Sequence, residues 1–382
     1  MKVWSACWLL TSLVVARDDV QCAVHIQPKR VLVTGISGMI GSHVARELLQ
    51  NPCRKVYGLV RPRSDLAALR GLLSNIILVV GDIIDATCME NVLRDVRPHY
   101  IYHFAAQAIN GISYRLPHLT SVVNVEGTQN LLEGLRKLNF TATRVLLAGS
   151  STEYGKTADE WYGPLPESAP LKPVSPYGVS KVATEMLGRQ YFAAYGMPII
   201  TARYFIHVGV GGTDSLAIHQ FCRHIAQAEL GIRPAVIEHG NLHSKRDMTS
   251  AIDSAPISVM LAERGVAGES YNMGSGFSMS IARLLHIAIR QSTIKITTRD
   301  DQSRYRVYDE TTLLADNTKV RNLTGWVPGT DMKKDVELIL NYWRSKEADL
   351  YPSGHSHASG IRGHGHHMGA SHHSRVVADP GQ

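Results

Sequence analysis

Between residues 30 and 212 the chain alternates two hydrophobic rhythms. Short apolar, β-branched runs at residues 30–34, 55–60, 76–80, 144–148 and 198–204 predict buried strands. Another run closes at His103-Phe104-Ala105-Ala106-Gln107. Between them lie stretches with helical spacing, over 42–49 and over 124–137, where Val125, Leu131, Leu132 and Leu135 form one stripe. Repeated strand–helix alternation predicts an α/β Rossmann fold, a doubly wound parallel sheet with right-handed crossovers. Past Gly212 the rhythm loosens. A helix over 215–230, a short strand over 234–238, a helix over 255–264 and an amphipathic segment over 280–289 predict a smaller α/β substrate-binding lobe at the sheet's carboxyl edge. The expected organisation is a large sheet domain over 30–212 and a lobe mainly over 213–348, with a return to the large sheet near 269–273.

Composition narrows the class without changing the fold. The chain has 382 residues, 44% of them hydrophobic and 19% charged, as in an ordinary globular protein. Its formal charge of +7 suits an anionic ligand, but no concentrated basic run is present, so nucleic acid is not an expected partner. Cys7, Cys22, Cys53, Cys88 and Cys222 are odd in number and lack C-x-x-C spacing. They read as buried thiols, with no disulfide framework and no metal site.

The two ends stand outside the pattern. Residues 1–29 carry Lys2, an apolar run from Val3 to Val15, and Ala16 with Val14 two positions before it, the layout of a secretory signal. That run is too short to count as a membrane span, and no stable membrane association is expected. The sequons Asn139-Phe140-Thr141 and Asn322-Leu323-Thr324 fit a lumenal route. The competing reading, an amino-terminal extension on a cytoplasmic protein, is favoured because the cofactor inferred below is most plentiful there. Residues 349–382 are rich in Gly, Ser and His, with seven histidines from His355 to His373, and predict a disordered tail.

The first strand runs into Gly35-Ile36-Ser37-Gly38-Met39-Ile40-Gly41 and then a helix. In this strand–turn–helix context Gly35 permits the tight turn, Gly38 lets backbone approach a pyrophosphate, and Gly41 allows close packing of helix on strand. After the second strand, where an acidic residue would take a ribose 2′-hydroxyl, the chain has Arg61, which suits a 2′-phosphate. NADP(H) is favoured, with NAD(H) the alternative. Asp82 and Ile83 after the third strand fall beside an adenine, and Ala105, Ala106 and Gln107 after the fourth let backbone lie against the cofactor.

Tyr177-Gly178-Val179-Ser180-Lys181 places a phenol and an ammonium one helical turn apart on the same face. A positive charge there stabilises the phenolate and brings proton exchange within reach of neutral pH. Ser150, in Gly149-Ser150-Ser151-Thr152-Glu153-Tyr154-Gly155, falls at the carboxyl end of the fifth strand, where ligands sit in open parallel sheets.

Taken together, Thr34-Gly35-x-x-Gly38-x-x-Gly41, Ser150 and Tyr177-x-x-x-Lys181 resemble the extended short-chain dehydrogenase/reductase family that acts on nucleotide sugars, over residues 30–346. The nearest likeness is to GDP-4-keto-6-deoxy-D-mannose reductases and GDP-mannose 4,6-dehydratases, carried also by Gly240-Asn241-Leu242, Arg246-Asp247-Met248-Thr249, Tyr271 to Gly276 and Thr324-Gly325-Trp326. The resemblance implies that Ser150 and Tyr177 contact the sugar O4 and that Lys181 and Asn124 serve the cofactor. It implies further that Thr152, Glu153, His207, Asn241, Arg246 and Arg306 face the substrate, and that the enzyme is a homodimer. A 4,6-dehydratase needs a carboxylate two residues before the tyrosine matching Tyr154, and this chain has Thr152 there, with Glu153 one residue displaced. A nucleotide-sugar reductase is therefore the leading expectation. A dehydratase or 4-epimerase, and a catalytically silent nucleotide binder, are the alternatives. The chain departs from the family at Ile206, usually an asparagine that contacts the diphosphate, and at Val210 and Val307, usually prolines.

Overall fold

The computed structural model describes residues 27–305 and 308–351. In chain order its strands are β1 (Lys29–Thr34), β2 (Arg54–Val60), β3 (Ile76–Val80), β4 (Tyr100–His103), β5 (Arg144–Ser150), β6 (Ile199–Tyr204), β7 (Ile206–Val208), β8 (Val236–His239), β9 (Lys245–Ser250), β10 (Ser270–Met273), β11 (Ser278–Ser280), β12 (Thr297–Asp300) and β13 (Thr312–Leu313). Seven of them form one parallel sheet in the order β10-β6-β5-β4-β1-β2-β3. Strand order reverses between β1 and β4, which opens the crevice where a doubly wound sheet binds its ligand.

The strand sequences explain the layering. Val31, Leu32 and Val33 are all essentially inaccessible, because a central parallel strand is covered on both faces. Val31 and Val33 join a core with the helix Met39–Leu48, whereas Leu32 joins a second core with the helices Ala86–Val96 and Gly127–Lys137. The lobe has its own core. Ile218, Phe221, Cys222 and Ile225 of the helix Ala217–Glu229 pack with Leu284 and Leu285, and with Val336, Ile339, Leu340 and Trp343 of the carboxyl-terminal helix Met332–Leu350.

Two expectations change. The helix predicted at 255–264 spans Ala251–Arg264 and belongs to the large domain, where it packs against the helix Met39–Leu48 and against β4, β5 and β6. Its Ala255, Ile257, Val259, Leu261 and Ala262 are all core, and a helix apolar around most of its girth must be covered on more than one side. The edge strand β10 follows it at the predicted return. Cys53 is disulfide-bonded, not a buried thiol, while Cys88 and Cys222 are free. Cys53 sits half-exposed in the turn after Pro52, and an odd total does not prevent one pair.

The signal-like run, Cys7, Cys22 and the histidine-rich tail lie outside the described residues. Among the described residues no helix is long and apolar enough to cross a membrane. Both sequon asparagines are exposed.

Candidate active site

A cavity of about 1340 Å³ follows the carboxyl ends of the central strands, walled on the far side by the lobe. At one end is the glycine turn. Gly35 has φ +66°, and a Cβ there would come within 2.6 Å of the Ala105 nitrogen, while a Cβ on Gly41 would meet the Gly35 carbonyl oxygen at 2.3 Å. The two glycines let the turn, the helix start and the β4 end nest together, and Gly38, exposed, presents the helix amino terminus to the cavity. Ser37, Met39 and Ile40 line the same wall, as do Arg61 after β2, Asp82 and Ile83 after β3, and Ala105, Ala106 and Gln107 after β4. This cradle fits a dinucleotide: backbone N–H groups at a helix start for the pyrophosphate, small residues beside it and a cation at the β2 end.

Buried polar side chains hold the cradle in register. Thr128 donates to the Asn124 carbonyl oxygen at 2.6 Å and so accepts from His103 Nε2, 3.0 Å away. That leaves His103 Nδ1 to accept from Thr34, whose hydroxyl oxygen accepts the Ala105 N–H. Burial pushes His103 down to about 3, so it works as a neutral strut between β1 and the helix behind β4. Asn124 is part of this scaffold and is not on the cavity wall. Its carboxamide accepts the Gln107 N–H at 2.8 Å and donates to Ser180 at 2.9 Å and to the Gln107 carbonyl oxygen at 3.2 Å. A π-helical turn, Val122–Glu126, carries Asn124 inward, and with its amide fully engaged the residue acts on the cofactor site through Gln107.

Ser150, Tyr177 and Lys181 all line the cavity. The Tyr177 helix spans Pro176–Tyr195, starts at a Ser175 cap that accepts the Gly178 N–H, and carries Pro176 at its first position. A Cβ on Gly178 would lie 2.7 Å from the Thr152 carbonyl oxygen, so this glycine brings the helix start against the turn after β5 and sets Tyr177 beside Ser150. Ser150 lies close enough to Tyr177 to lower its pKa. Thr152 Oγ1 donates to Ser150 Oγ at 2.9 Å. Lys181 Nζ donates to the Ala148 carbonyl oxygen at 2.7 Å and lies 5.8 Å from the Tyr177 ring centre.

The sequence predicted that the ammonium would draw the phenol toward neutral pH. Instead burial pushes Tyr177 up to about 12, against the neighbouring Ser150 hydroxyl, which lowers it. Burial likewise pushes Lys181 down to about 8. Tyr177 is therefore a phenol at pH 7, fit to donate a proton.

Of the predicted substrate residues, Thr152, His207, Asn241 and Arg246 line the cavity, but Glu153 does not. The turn after β5 carries Thr152 to the wall and Glu153 to the opposite side, where it is fully buried against Arg203. His207 Nδ1 faces the Phe205 carbonyl oxygen at 3.1 Å, its Nε2 has no protein partner, and burial pushes it down to about 4. Arg246, predicted as a phosphate clamp, is engaged by protein carboxylates: Asp309 at 2.6 Å and Glu310 at 3.4 Å. Asn241 donates to the same Asp309 at 2.9 Å. Arg306 lies outside the described residues. Asn110 is among the wall residues that escaped the sequence reading. Asn110 lines the cavity just beyond the β4 loop with a buried Oδ1 that lacks a protein partner. Its only signal in the sequence is a polar residue following the small ones after β4.

A family model described as GDP-mannose 4,6 dehydratase matches residues 32–339. A GDP-6-deoxy-D-mannose reductase of Pseudomonas aeruginosa is 28% identical over 325 residues, covering 83% of this chain and 98% of that protein. The GDP-mannose 4,6-dehydratase sdnI of Sordaria araneosa is also 28% identical, over 82% of this chain and 61% of its own length. Among solved structures, RMD from Pseudomonas aeruginosa complexed with NADPH is similar with a TM-score of 0.70 and 26% identity, over 83% of this chain and 99% of that one. A UDP-glucose 4-epimerase of Thermotoga maritima with UDP-glucose has a TM-score of 0.72 and 25% identity, over 83% and 99%.

Proposed function

The chain belongs to the GDP-mannose 4,6-dehydratase family, and within it we propose an NADPH-dependent reductase that converts a nucleotide-linked 4-keto-6-deoxy sugar, of the GDP-4-keto-6-deoxy-mannose type, to its 4-hydroxy product. The observation that carries this reading is the wall position after β5. Thr152 faces the cavity where elimination would need a carboxylate, and the neighbouring Glu153 is turned into the protein. Reduction of a ketone needs no acid at that point.

NADPH, with its pyrophosphate at the glycine turn, would supply a hydride to C4. The chain supplies the rest. Ser150 and Tyr177 hydrogen-bond the sugar O4, which orients the carbonyl and draws electron density to oxygen. As C4 gains its new C–H bond, the C=O π pair moves onto O4, and Tyr177 gives O4 its phenolic proton. The resulting phenolate is stabilised by the nearby Lys181 ammonium and regains its proton from solvent. Arg61 favours the 2′-phosphate of NADPH. On the substrate side, Asn241 and Arg246 serve the nucleotide diphosphate once Asp309 gives up their N–H groups.

Cofactor accounting tests the reading. A reductase consumes one NADPH for each sugar reduced. A 4,6-dehydratase or 4-epimerase, the second reading that the family permits, turns over with no net consumption. Product formed from a GDP-sugar without loss of NADPH absorbance overturns the assignment.

A further inference from the structure

Glu153 is a buried carboxyl group that the proposed chemistry leaves unused. It is fully buried, and three observations define what it does. Its Oε1 accepts the backbone N–H of Ser150 at 2.6 Å, closing a reciprocal cap in which Ser150 Oγ accepts the Thr152 N–H at 3.2 Å. A Cβ on Gly149 would lie 2.7 Å from that same Oε1, so position 149 has no room for a side chain while the carboxylate is in place. Its Oε2 is buried and has no hydrogen-bond partner.

The neighbours explain that orphan. Arg203 of β6 donates to Glu185 at 2.8 and 2.7 Å, to the Tyr154 hydroxyl at 2.9 Å and to the Glu167 carbonyl oxygen at 3.0 Å, leaving Glu153 Oε2 at 3.6 Å, outside hydrogen-bond reach. Glu185 is therefore the ionised partner of Arg203. A second anion beside it, with one oxygen unsatisfied, would be costly in a dry interior. A proton on Glu153 removes both problems: it neutralises the second charge and turns the orphaned oxygen into a donor toward Glu185. Burial and the Glu185 charge push Glu153 up to about 8, in agreement with this geometry.

We propose that Glu153 is a positioning residue that acts as a neutral carboxylic acid, its carbonyl oxygen fixing the Ser150 backbone and its hydroxyl directed at Glu185. The inference rests on the reductase reading only in that Ser150 and Tyr177 are the working pair. The titratable and charged groups facing Glu153 are Glu185, Tyr177 and Lys181 of the Pro176–Tyr195 helix, Arg203 of β6, and Tyr154 of its own turn, with Arg189 pairing Glu185 from outside. While Glu153 is neutral, Lys181 and Tyr177 have no anion behind them, and its ionisation in alkaline solution raises both. That ionisation helps Lys181 keep its charge in alkaline solution.

The test compares Glu153→Gln with Glu153→Leu in the full chain. Glutamine reproduces the acceptor for Ser150 and a donor toward Glu185, whereas leucine keeps bulk and loses both. Glu153→Leu is expected to lower kcat about a hundredfold with NADPH affinity, read by fluorescence, unchanged. Glu153→Gln restores kcat at pH 7 to near the native value. Its alkaline limb then falls at lower pH, because Lys181 has lost the late-arriving anion. A protonated-carboxyl band in the infrared spectrum at pH 7 is present in the native protein and missing in Glu153→Gln. If glutamine is as damaging as leucine at pH 7, or the infrared band is the same in both proteins, Glu153 is not a neutral positioning acid. Unchanged kcat in Glu153→Leu also overturns the role. Should no sugar substrate be turned over by any form, the infrared comparison alone still decides the protonation state, separately from the reductase reading.

Discussion

Lys181 Nζ lies 5.8 Å from the centre of the Tyr177 ring while donating to the Ala148 carbonyl oxygen at 2.7 Å. The ammonium is thus tied to the strand that ends in Ser150, and all three groups of the proposed chemistry share one anchor. Replacing Tyr177 by phenylalanine removes the proton donor and leaves that anchor intact. Turnover is expected to fall by about 10²–10⁴-fold, with NADPH affinity within about twofold of native by fluorescence titration. Native turnover in Tyr177→Phe would remove Tyr177 from the reaction.

The strand rhythm and the glycine turn made the sheet, the cleft and the Ser150–Tyr177–Lys181 cluster legible, because fully buried parallel strands and βα turns leave local signals. What the sequence could not show depends on contacts between distant segments. Thr152 and Glu153 differ by one position, and only the turn geometry after β5 decides which of them faces the cavity. Asn124 is polar and well placed in sequence, yet its carboxamide is consumed by Gln107 and Ser180, residues 17 and 56 positions away. Arg246 read as a free clamp because Asp309 lies 63 positions further on. Chain order suggests that the helix over 255–264 belongs to the lobe, although the burial of Ala251–Arg264 on several sides ties it to the large sheet.

Arg61 is exposed at the cavity edge, and its backbone N–H is held by Ser64 Oγ at 2.9 Å, which fixes the turn that carries it. If its guanidinium meets the 2′-phosphate, Arg61→Ala should lower kcat/KM for NADPH about tenfold or more, the worth of one charge-assisted hydrogen bond. The value for NADH should stay near native. An unchanged NADPH-to-NADH ratio would show that the cation is merely solvated.

Ile206 is 40% exposed on the cavity wall next to His207, where the family usually carries asparagine. An apolar side chain there offers a diphosphate no donor. Ile206→Asn adds one, and a hydrogen bond to a charged group is worth about 1.5–3 kcal/mol. GDP should bind about tenfold or more tightly to this variant by calorimetry. Unaltered affinity would place the diphosphate elsewhere in the cavity.

The buried imidazoles set how the fold responds to acid. The Trp343 indole N–H donates to His219 Nδ1 at 3.0 Å, so the proton sits on Nε2, which donates to the Gly209 carbonyl oxygen at 3.0 Å. Burial pushes His219 and His207 down to about 4. A histidine depressed in the folded state binds its proton more weakly there than in the unfolded chain, so below the ordinary value of 6.5 the unfolded state is favoured. The stability these residues provide is whole above pH 6.5 and is lost as pH falls toward 4, at up to about 1.4 kcal/mol per pH unit for each fully shifted group. Asp335, which burial pushes up to about 6, works in the opposite sense between 3.8 and 6, so the native curve alone mixes signs. Comparison with His219→Gln isolates one imidazole. The variant should be less stable at pH 7.5, having lost the Trp343–His219–Gly209 bridge, and its urea midpoint should fall less steeply between pH 6.5 and 4. Parallel curves for the two proteins would mean that His219 is not held neutral in the folded state.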